Sequence, residues 1–293
     1  MIHITPELLR TNPLPMPEEG DKDARGRVLI VGGSLEVPGG ALLAAEAALR
    51  TGAGKLKIAT CRSIAPQMGL AMPEALVMGL DETGAGGIAP DAADGIVETA
   101  RKVDAVLIGP GMMDPEATDP LTASVLSRLR VPAVLDAGAL RCMPRLADTL
   151  RRSGAARIIT PHPGEMAQLL DREREEIEAD PQEAGRQAAS KLHCIVVMKG
   201  AQTHIVDPEG GTWLFTGGTV GLATSGSGDT LAGMIVALLA RGAPPVWAAI
   251  WGVFLHGGAG TRLFRRYGGI GFLAREIPGE VPHVMAEFAS QAD

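Results

Sequence analysis

The sequence predicts an α/β fold with a mainly parallel central sheet and helices on both faces, a three-layer α/β/α arrangement. Three observations point there. Strand-like and helix-like segments alternate at a spacing that suits crossover units. The strand-like segments are short continuous apolar runs, as sheets covered on both faces require. Glycine-rich turns recur where those runs end, in a chain with 38 glycines among 293 residues.

The elements follow in order. Residues 1–25 are polar and proline-rich and are expected to form an arm over the surface. "GRVLIVGG" (26–33) is a buried strand, "GALLAAEAALRTGAG" (40–54) an alanine-rich helix with its stop, and "KLKIAT" (55–60) the next strand. "EALVMGL" (74–80), "DAVLIGPG" (104–111) and "PAVLDAG" (132–138) continue the strands, with helices at "ADGIVETARK" (93–102) and "LTASVLSRL" (121–129). "ARIITPHPG" (156–164) and "CIVVMKG" (194–200) are strands, and "EMAQLL" (165–170) and "DPQEAGRQAASKLH" (180–193) are helices. "THIVDPEGGTWLF" (203–215) breaks the rhythm and reads as a hairpin turning on "DPEGG". Helices are expected at 229–241, 245–266 and 280–290. No linker divides the chain, so residues 26–293 are expected to form a single domain.

Composition excludes several classes. The net charge of −7 and the lack of a basic tract argue against nucleic acid and anionic membranes as partners. Aromatics are only 3%, too few for a stacking platform. Three cysteines, Cys61, Cys142 and Cys194, give neither a disulfide framework nor a zinc spacing. Cys61 and Cys194 sit in apolar runs and read as small core residues. The opening "MIHITPELLRTNPLP" lacks the charged and apolar regions of a signal peptide, and no run is long enough to cross a membrane. The expected compartment is the cytoplasm.

In open α/β sheets, ligands bind beyond the carboxyl ends of the strands. Six such ends are conspicuous: "VGG" (31–33), "IGPG" (108–111), "LDAG" (135–138), "TPHPGE" (160–165), "MKGAQT" (198–203) and "SGSGD" (225–229). Gly226, Ser227 and Gly228 lead into a helix, whose free N–H groups and dipole form an anion site. Asp229 then has two readings. It is a helix cap, a favoured role for Asp, or it is a base facing a hydroxyl that meets a phosphate. Standard nucleotide signatures are missing: there is no GxxxxGK[ST], and "GGSLEVPGG" is not GxGxxG.

The remaining candidates also carry two readings. The prolines of "TPHPGE" stiffen the turn that bears His162 and Glu165. Pro163 suits a first helical position and Glu165 the helix dipole; His162 is either an exposed loop residue or aimed at a ligand. Lys199 is an edge charge reaching to solvent or a phosphate contact. His256 reads as a hydrogen-bonded core histidine, and Met112 and Met113 as packing at a pocket wall.

Taken together these segments resemble the ADP/ATP-dependent NAD(P)H-hydrate dehydratases, a branch of the ribokinase-like fold. The resemblance rests on "GRVLIVGG", "EAALRTGAGKLKIAT", "LIGPGM", "LDAGAL", "ITPHPGEMAQLL", "MKGAQT", "SGSGDTLAGMI" and "HGGAG" and spans roughly residues 26 to 274. It implies a repair lyase on a kinase scaffold. The nucleotide's terminal phosphoryl group passes to the hydroxyl of the hydrated nicotinamide ring, and phosphate is then eliminated to restore NAD(P)H. The resemblance places the adenine nucleotide on Lys199, Gly200, Ala201, Gln202, Thr203 and Gly228. It faces Gly40, Gly111, His162 and Asp229 toward the hydrate, with Asp229 catalytic. Mg²⁺ is expected with the nucleotide, with Glu165 holding it through water. A homotetramer and an NAD(P)H-hydrate epimerase as functional partner are further expectations. Such proteins often carry a fused epimerase domain in front; here about 25 residues precede the match, which suggests a stand-alone dehydratase. Two positions depart from the family pattern: Gly40 stands where alanine is common, and Gly138 replaces an acid of "DADAL".

Two other functions compete. One is a small-molecule kinase of the same fold acting on a vitamin-precursor alcohol. Such kinases carry an N-x-x-E motif, and the single asparagine here, Asn12, cannot form one. The other is a non-catalytic nucleotide sensor, which would not need Asp229. ADP against ATP, and NADH hydrate against NADPH hydrate, stay open at this level.

Overall fold

Ten short strands hydrogen-bond side by side into one sheet in the computed structural model, which describes residues 1–16 and 21–288. They are β1 (Ile2–His3), β2 (Arg27–Val31), β3 (Lys55–Cys61), β4 (Ala75–Leu80), β5 (Ala105–Ile108), β6 (Ala133–Leu135), β7 (Arg157–Ile159), β8 (Ile195–Met198), β9 (Thr203–Val206) and β10 (Thr212–Phe215). Their order is β1-β10-β9-β8-β7-β6-β5-β2-β3-β4. The seven strands from β8 to β4 run parallel. The expected hairpin is β9–β10, antiparallel to each other, with β9 also antiparallel to β8. The central runs of β2 and β5 are buried along their apolar residues, which is why they show no polar alternation.

The helices are α1 (Pro6–Arg10), α2 (Gly39–Arg50), α3 (Ala65–Ala71), α4 (Ala93–Ala100), α5 (Pro115–Leu126), α6 (Ala147–Arg152), α7 (Pro163–Leu170), α8 (Arg174–Ala179), α9 (Pro181–Leu192), α10 (Ser227–Ala240), α11 (Pro245–Tyr267) and α12 (Ile277–Ala286). α2, α10, α11 and α12 pack on one another over one face, and α4 and α9 cover the sheet from the other. α10 is the central helix: from Thr230 to Ala240 every residue is buried. It lies so close to α2 that a Cβ on Gly233 would overlap the carbonyl of Ala44.

Some elements differ from expectation, each for a local reason. The N-terminal segment is more than an arm: β1 adds a parallel strand to β10, Leu9 of α1 is fully buried, and the Trp251 indole donates to the Asn12 carbonyl at 2.8 Å. Residues 17–20 of that segment lie outside the described residues. α5 starts six residues before the expected 121, because Asp114 caps it through the Glu116 and Ala117 amides and Pro115 fits the first position. α3, α6 and α8 are additional short helices. α12 covers 277–286, and residues 289–290 of the expected helix lie outside the described residues. All three cysteines are free and buried.

Candidate active site

The carboxyl ends of the parallel strands meet the first turn of α10, and the candidate residues gather there. β2 ends in Gly32 and Gly33, and the Gly33 amide donates to the Pro110 carbonyl beyond β5 at 2.7 Å. That bond draws the two glycine turns together. Gly111 holds φ +70, a left-handed conformation that glycine adopts without cost. Gly40, in the first turn of α2, faces this corner. A Cβ there would stand 2.9 Å from the Gly111 amide nitrogen and 3.3 Å from Oδ1 of Asp229. Gly40, Gly111 and Asp229, separated widely in sequence, therefore share one wall.

Asp229 is not the helix cap. Gly226 occupies that position at φ +86, and Asp229 is the third helical residue. The amides of Gly228 and Asp229 have no acceptor among the described residues, as expected of a helix start. Burial, reinforced by the Asp136 charge and only partly offset by Lys199, pushes the Asp229 carboxyl up to about 7. A carboxyl so placed is poised to accept a proton near neutral pH.

Lys199 does not reach for solvent. It turns inward from the end of β8, with Nζ 3.0 Å from Oδ1 of Asp136 and 3.8 Å from Oε2 of Glu165. The same Asp136 oxygen accepts the Thr160 hydroxyl at 2.7 Å. Burial pulls the lysine down, but the carboxylates of Asp136, Glu165 and Asp229 outweigh it and hold the ammonium above its ordinary range. Lys199 also lies against Gly228, where a Cβ would come within 3.2 Å of Nζ. One cation thus links the strand end to the start of α10.

His162 is the N-cap of α7. Its Nδ1 accepts from the Gly164 and Glu165 amides at 3.0 and 3.4 Å, and Glu165 Oε2 accepts the His162 amide at 2.8 Å. This reciprocal capping box, with Pro163 at the first helical position, accounts for Glu165 as a helix-start residue. It leaves Nε2 of His162 at 3.6 Å from Glu165 Oε1, at the rim of the cleft.

The cleft has a volume of roughly 800 Å³. Lys199, Gly200, Ala201, Thr203, Gly228 and His162 line it, whereas Gln202 does not reach it. Phe215, which pairs with Thr203 across the hairpin, and Leu222, Leu231 and Val253 add apolar surface to the same lining. The Phe215 ring lies against Gly217 and Gly257, where no Cβ would fit, and packs edge-on to Phe254 with ring centres 6.0 Å apart. Gly40, Gly111 and Asp229 are not among the residues that line the cleft; Asp229 follows directly on Gly228, which is. Met112 is buried in the core and Met113 is 54% exposed, and neither lines the cleft, contrary to the expected packing at a pocket wall. His256 is hydrogen-bonded, as its sequence context suggested, but it also lines the cleft.

Asp136, Thr160 and the Ser227–His256 pair were not candidates in the sequence. Part of the signal for Asp136 was available: a lysine ending a fully apolar strand needs a buried counter-charge, but Asp136 follows β6, two strands away from β8 in the sheet. Among the described residues no three His, Cys, Asp or Glu side chains form a metal-binding group.

A family model described as NAD(P)H-hydrate dehydratase matches residues 28–283. The chain belongs to the NAD(P)H-hydrate dehydratase family. It is similar to the ADP-dependent (S)-NAD(P)H-hydrate dehydratase of Xanthomonas campestris, at 49% identity over 287 residues, which cover 96% of this chain and 95% of that protein. Its fold is similar to that of the Bacillus subtilis ADP/ATP-dependent NAD(P)H-hydrate dehydratase crystallised with ATP and Mg²⁺. The TM-score there is 0.84 and the identity 31%, covering 98% of this chain and 99% of that one. A ribokinase-like superfamily protein of Enterococcus faecalis, 24% identical with a TM-score of 0.82 over 98% and 96% of the two chains, shows the fold alone. This member of the dehydratase family is accordingly a ribokinase-like, three-layer α/β/α protein.

Proposed function

We propose that this chain is an ADP-dependent (6S)-NAD(P)H-hydrate dehydratase, a carbon–oxygen lyase of metabolite repair. The observation that carries the reading is the approach of Asp229 to the Gly40–Gly111 corner, one residue on from Gly228 in the lining of the cleft. The nucleotide lies along the cleft, with its phosphates on the Gly228 amide and near Lys199. The hydrated nicotinamide ring lies against Gly40 and Gly111, with its hydroxyl on Asp229 and His162 at its side. Asp229 accepts the hydroxyl proton as the oxygen attacks the terminal phosphorus. The bond from phosphorus to the leaving nucleotide breaks, giving AMP from ADP or ADP from ATP. The α10 amides and Lys199 stabilise the charge that moves across the phosphoryl group. The ring nitrogen's electron pair then expels phosphate from the ring carbon. The neighbouring carbon loses a proton, and the double bond of NAD(P)H is restored.

Mg²⁺ travels with the nucleotide in this reading. The residues fit an ion held mainly by phosphates and water, since Glu165 and Asp136 are both held by Lys199 and, among the described residues, no three His, Cys, Asp or Glu side chains form a metal group. When bound, the ion supplies charge neutralisation at the phosphates. Further parts of the proposal are a cytoplasmic setting, a homotetramer, and an epimerase that converts the other hydrate epimer into the usable one. Family membership and the glycine corner at Asp229 leave the vitamin-precursor kinase and the non-catalytic sensor unsupported.

The test is to incubate the protein with NADH hydrate, Mg²⁺ and ADP or ATP. Absorbance follows the restored dihydronicotinamide while released phosphate is counted. One phosphate per NADH is expected, with no recovery when nucleotide is omitted. NADH recovery without nucleotide would exclude the phosphoryl-transfer route.

A further inference from the structure

Ser227 opens α10 at the cleft, and His256 faces it from α11. Nε2 of His256 lies 2.9 Å from the Ser227 hydroxyl oxygen and 3.1 Å from the Ser227 carbonyl oxygen. A carbonyl oxygen only accepts, so Nε2 carries its proton, and the hydroxyl oxygen accepts from the same N–H. Burial, with the Lys199 charge adding to it, pushes the ring down to about 4, so the imidazole is neutral and this tautomer is fixed. The Ser227 hydroxyl keeps its own proton. No other bond of that hydroxyl occurs among the described residues, although Ser227 is only 6% exposed and lines the cleft. A buried donor with no protein acceptor calls for one from a ligand. The next residue, Gly228, also lines the cleft with an amide that has no acceptor among the described residues, and the Lys199 ammonium lies against Gly228. All three favour an anion.

We infer that the Ser227 hydroxyl donates to a phosphate oxygen of the nucleotide, and that His256 is the positioning residue that turns the hydroxyl toward it. This rests on the nucleotide reading of the cleft. Ser227 serves the phosphates alone, and the base and ribose bind elsewhere in the cleft. His256 acts only through Ser227.

Calorimetric titration of the full chain with ADP and with adenosine tests this, using variants whose melting is checked first. Ser227→Ala is expected to weaken ADP binding about tenfold to a hundredfold and to leave adenosine within about twofold, as for loss of a hydrogen bond to a charged group. His256→Leu weakens ADP in the same sense. It adds nothing to Ser227→Ala in the double variant, because the two act as one unit. His256→Gln places an amide N–H near the Nε2 position and recovers ADP affinity relative to His256→Leu. Equal losses of ADP and adenosine in Ser227→Ala would overturn the assignment, as would additive losses in the double variant. If the wild-type chain binds neither ADP nor ATP, the nucleotide reading of the cleft falls, and this inference with it.

Discussion

Asp229 and Gly40 confront each other across the start of two helices: a Cβ on Gly40 would stand 3.3 Å from the Asp229 carboxylate oxygen and 2.9 Å from the Gly111 amide. A side chain at position 40 would crowd both, and in the proposed reading it would push the hydrate ring away from Asp229. Gly40→Val is expected to lower kcat/KM for NADH hydrate by at least about a hundredfold, because the reacting hydroxyl is displaced from its base. ADP affinity stays close to wild type. Turnover and calorimetry on one preparation check both. A Gly40→Val protein with normal hydrate kinetics would move the ring elsewhere.

Asp229→Asn separates chemistry from folding, because the helix is capped by Gly226 rather than by Asp229. Turnover should fall by about 10²–10⁴-fold, the usual scale for loss of a general base. In the wild type the limb of kcat/KM that depends on the ionised carboxylate should rise with pH to about 7, where Asp229 titrates. A profile flat from pH 5 to pH 8 would remove Asp229 from the proton transfer.

The same shift has a stability consequence. The folded-state pKa lies above the ordinary carboxylate value, so the folded protein holds this proton more tightly than the unfolded chain. That contribution is complete below the ordinary carboxylate pKa and is lost as pH rises through about 7. Asn carries no such dependence. Asp229→Asn should thus melt progressively higher than wild type as pH rises from 5 to 8, by at least about 2 °C at the upper end. Identical pH dependence in the two proteins would mean that the Asp229 carboxyl is solvated.

Lys199→Met leaves Asp136, 2% exposed, without its ammonium partner. Breaking a buried pair in this way costs about 3–5 kcal/mol, a fall in Tm of at least about 6 °C. Adding Asp136→Asn should recover part of that loss while leaving turnover low, because the charge at the phosphates is still missing. Failure of the second change to restore Tm would show that the lysine stabilises the fold by another route.

His162→Asn retains a capping side chain, whereas His162→Ala loses about 1 kcal/mol with the cap. Both should raise the KM for hydrate, and only His162→Ala should melt lower. If ADP affinity falls in both and hydrate KM holds, His162 belongs to the nucleotide side of the cleft.

The strand and helix rhythm was legible because each crossover unit announces itself locally: apolar run, glycine stop, amphipathic or alanine-rich segment. Five of the six glycine-rich turns follow the parallel strands β2, β5, β6, β7 and β8 for the same reason, whereas "SGSGD" is no strand end: it opens α10, ten residues after β10. What was hidden depends on partners remote in sequence. Nothing in "MIHIT" announces its pairing with "TWLF", since a two-residue strand has no period. Lys199 kept an edge-charge reading beside the phosphate one because its orientation depends on Asp136, 63 residues earlier. Asp229 kept a cap reading beside the catalytic one because the left-handed turn of Gly226, which takes the cap position, is a backbone feature.

Gly233 lies one turn below Asp229, where α10 rests on the backbone of α2 at Ala44. Asp229 belongs to the first helix and Gly40 to the second, so this contact acts as a hinge pin that sets the gap between acid and glycine. A single added methyl at position 233 would lever the two apart. The lesion is expected to resemble an active-site defect: kcat/KM for hydrate lost, every ligand-contacting residue unchanged, and the fault in a position that no ligand touches. Natural variation there would silence repair from inside the protein rather than from its surface.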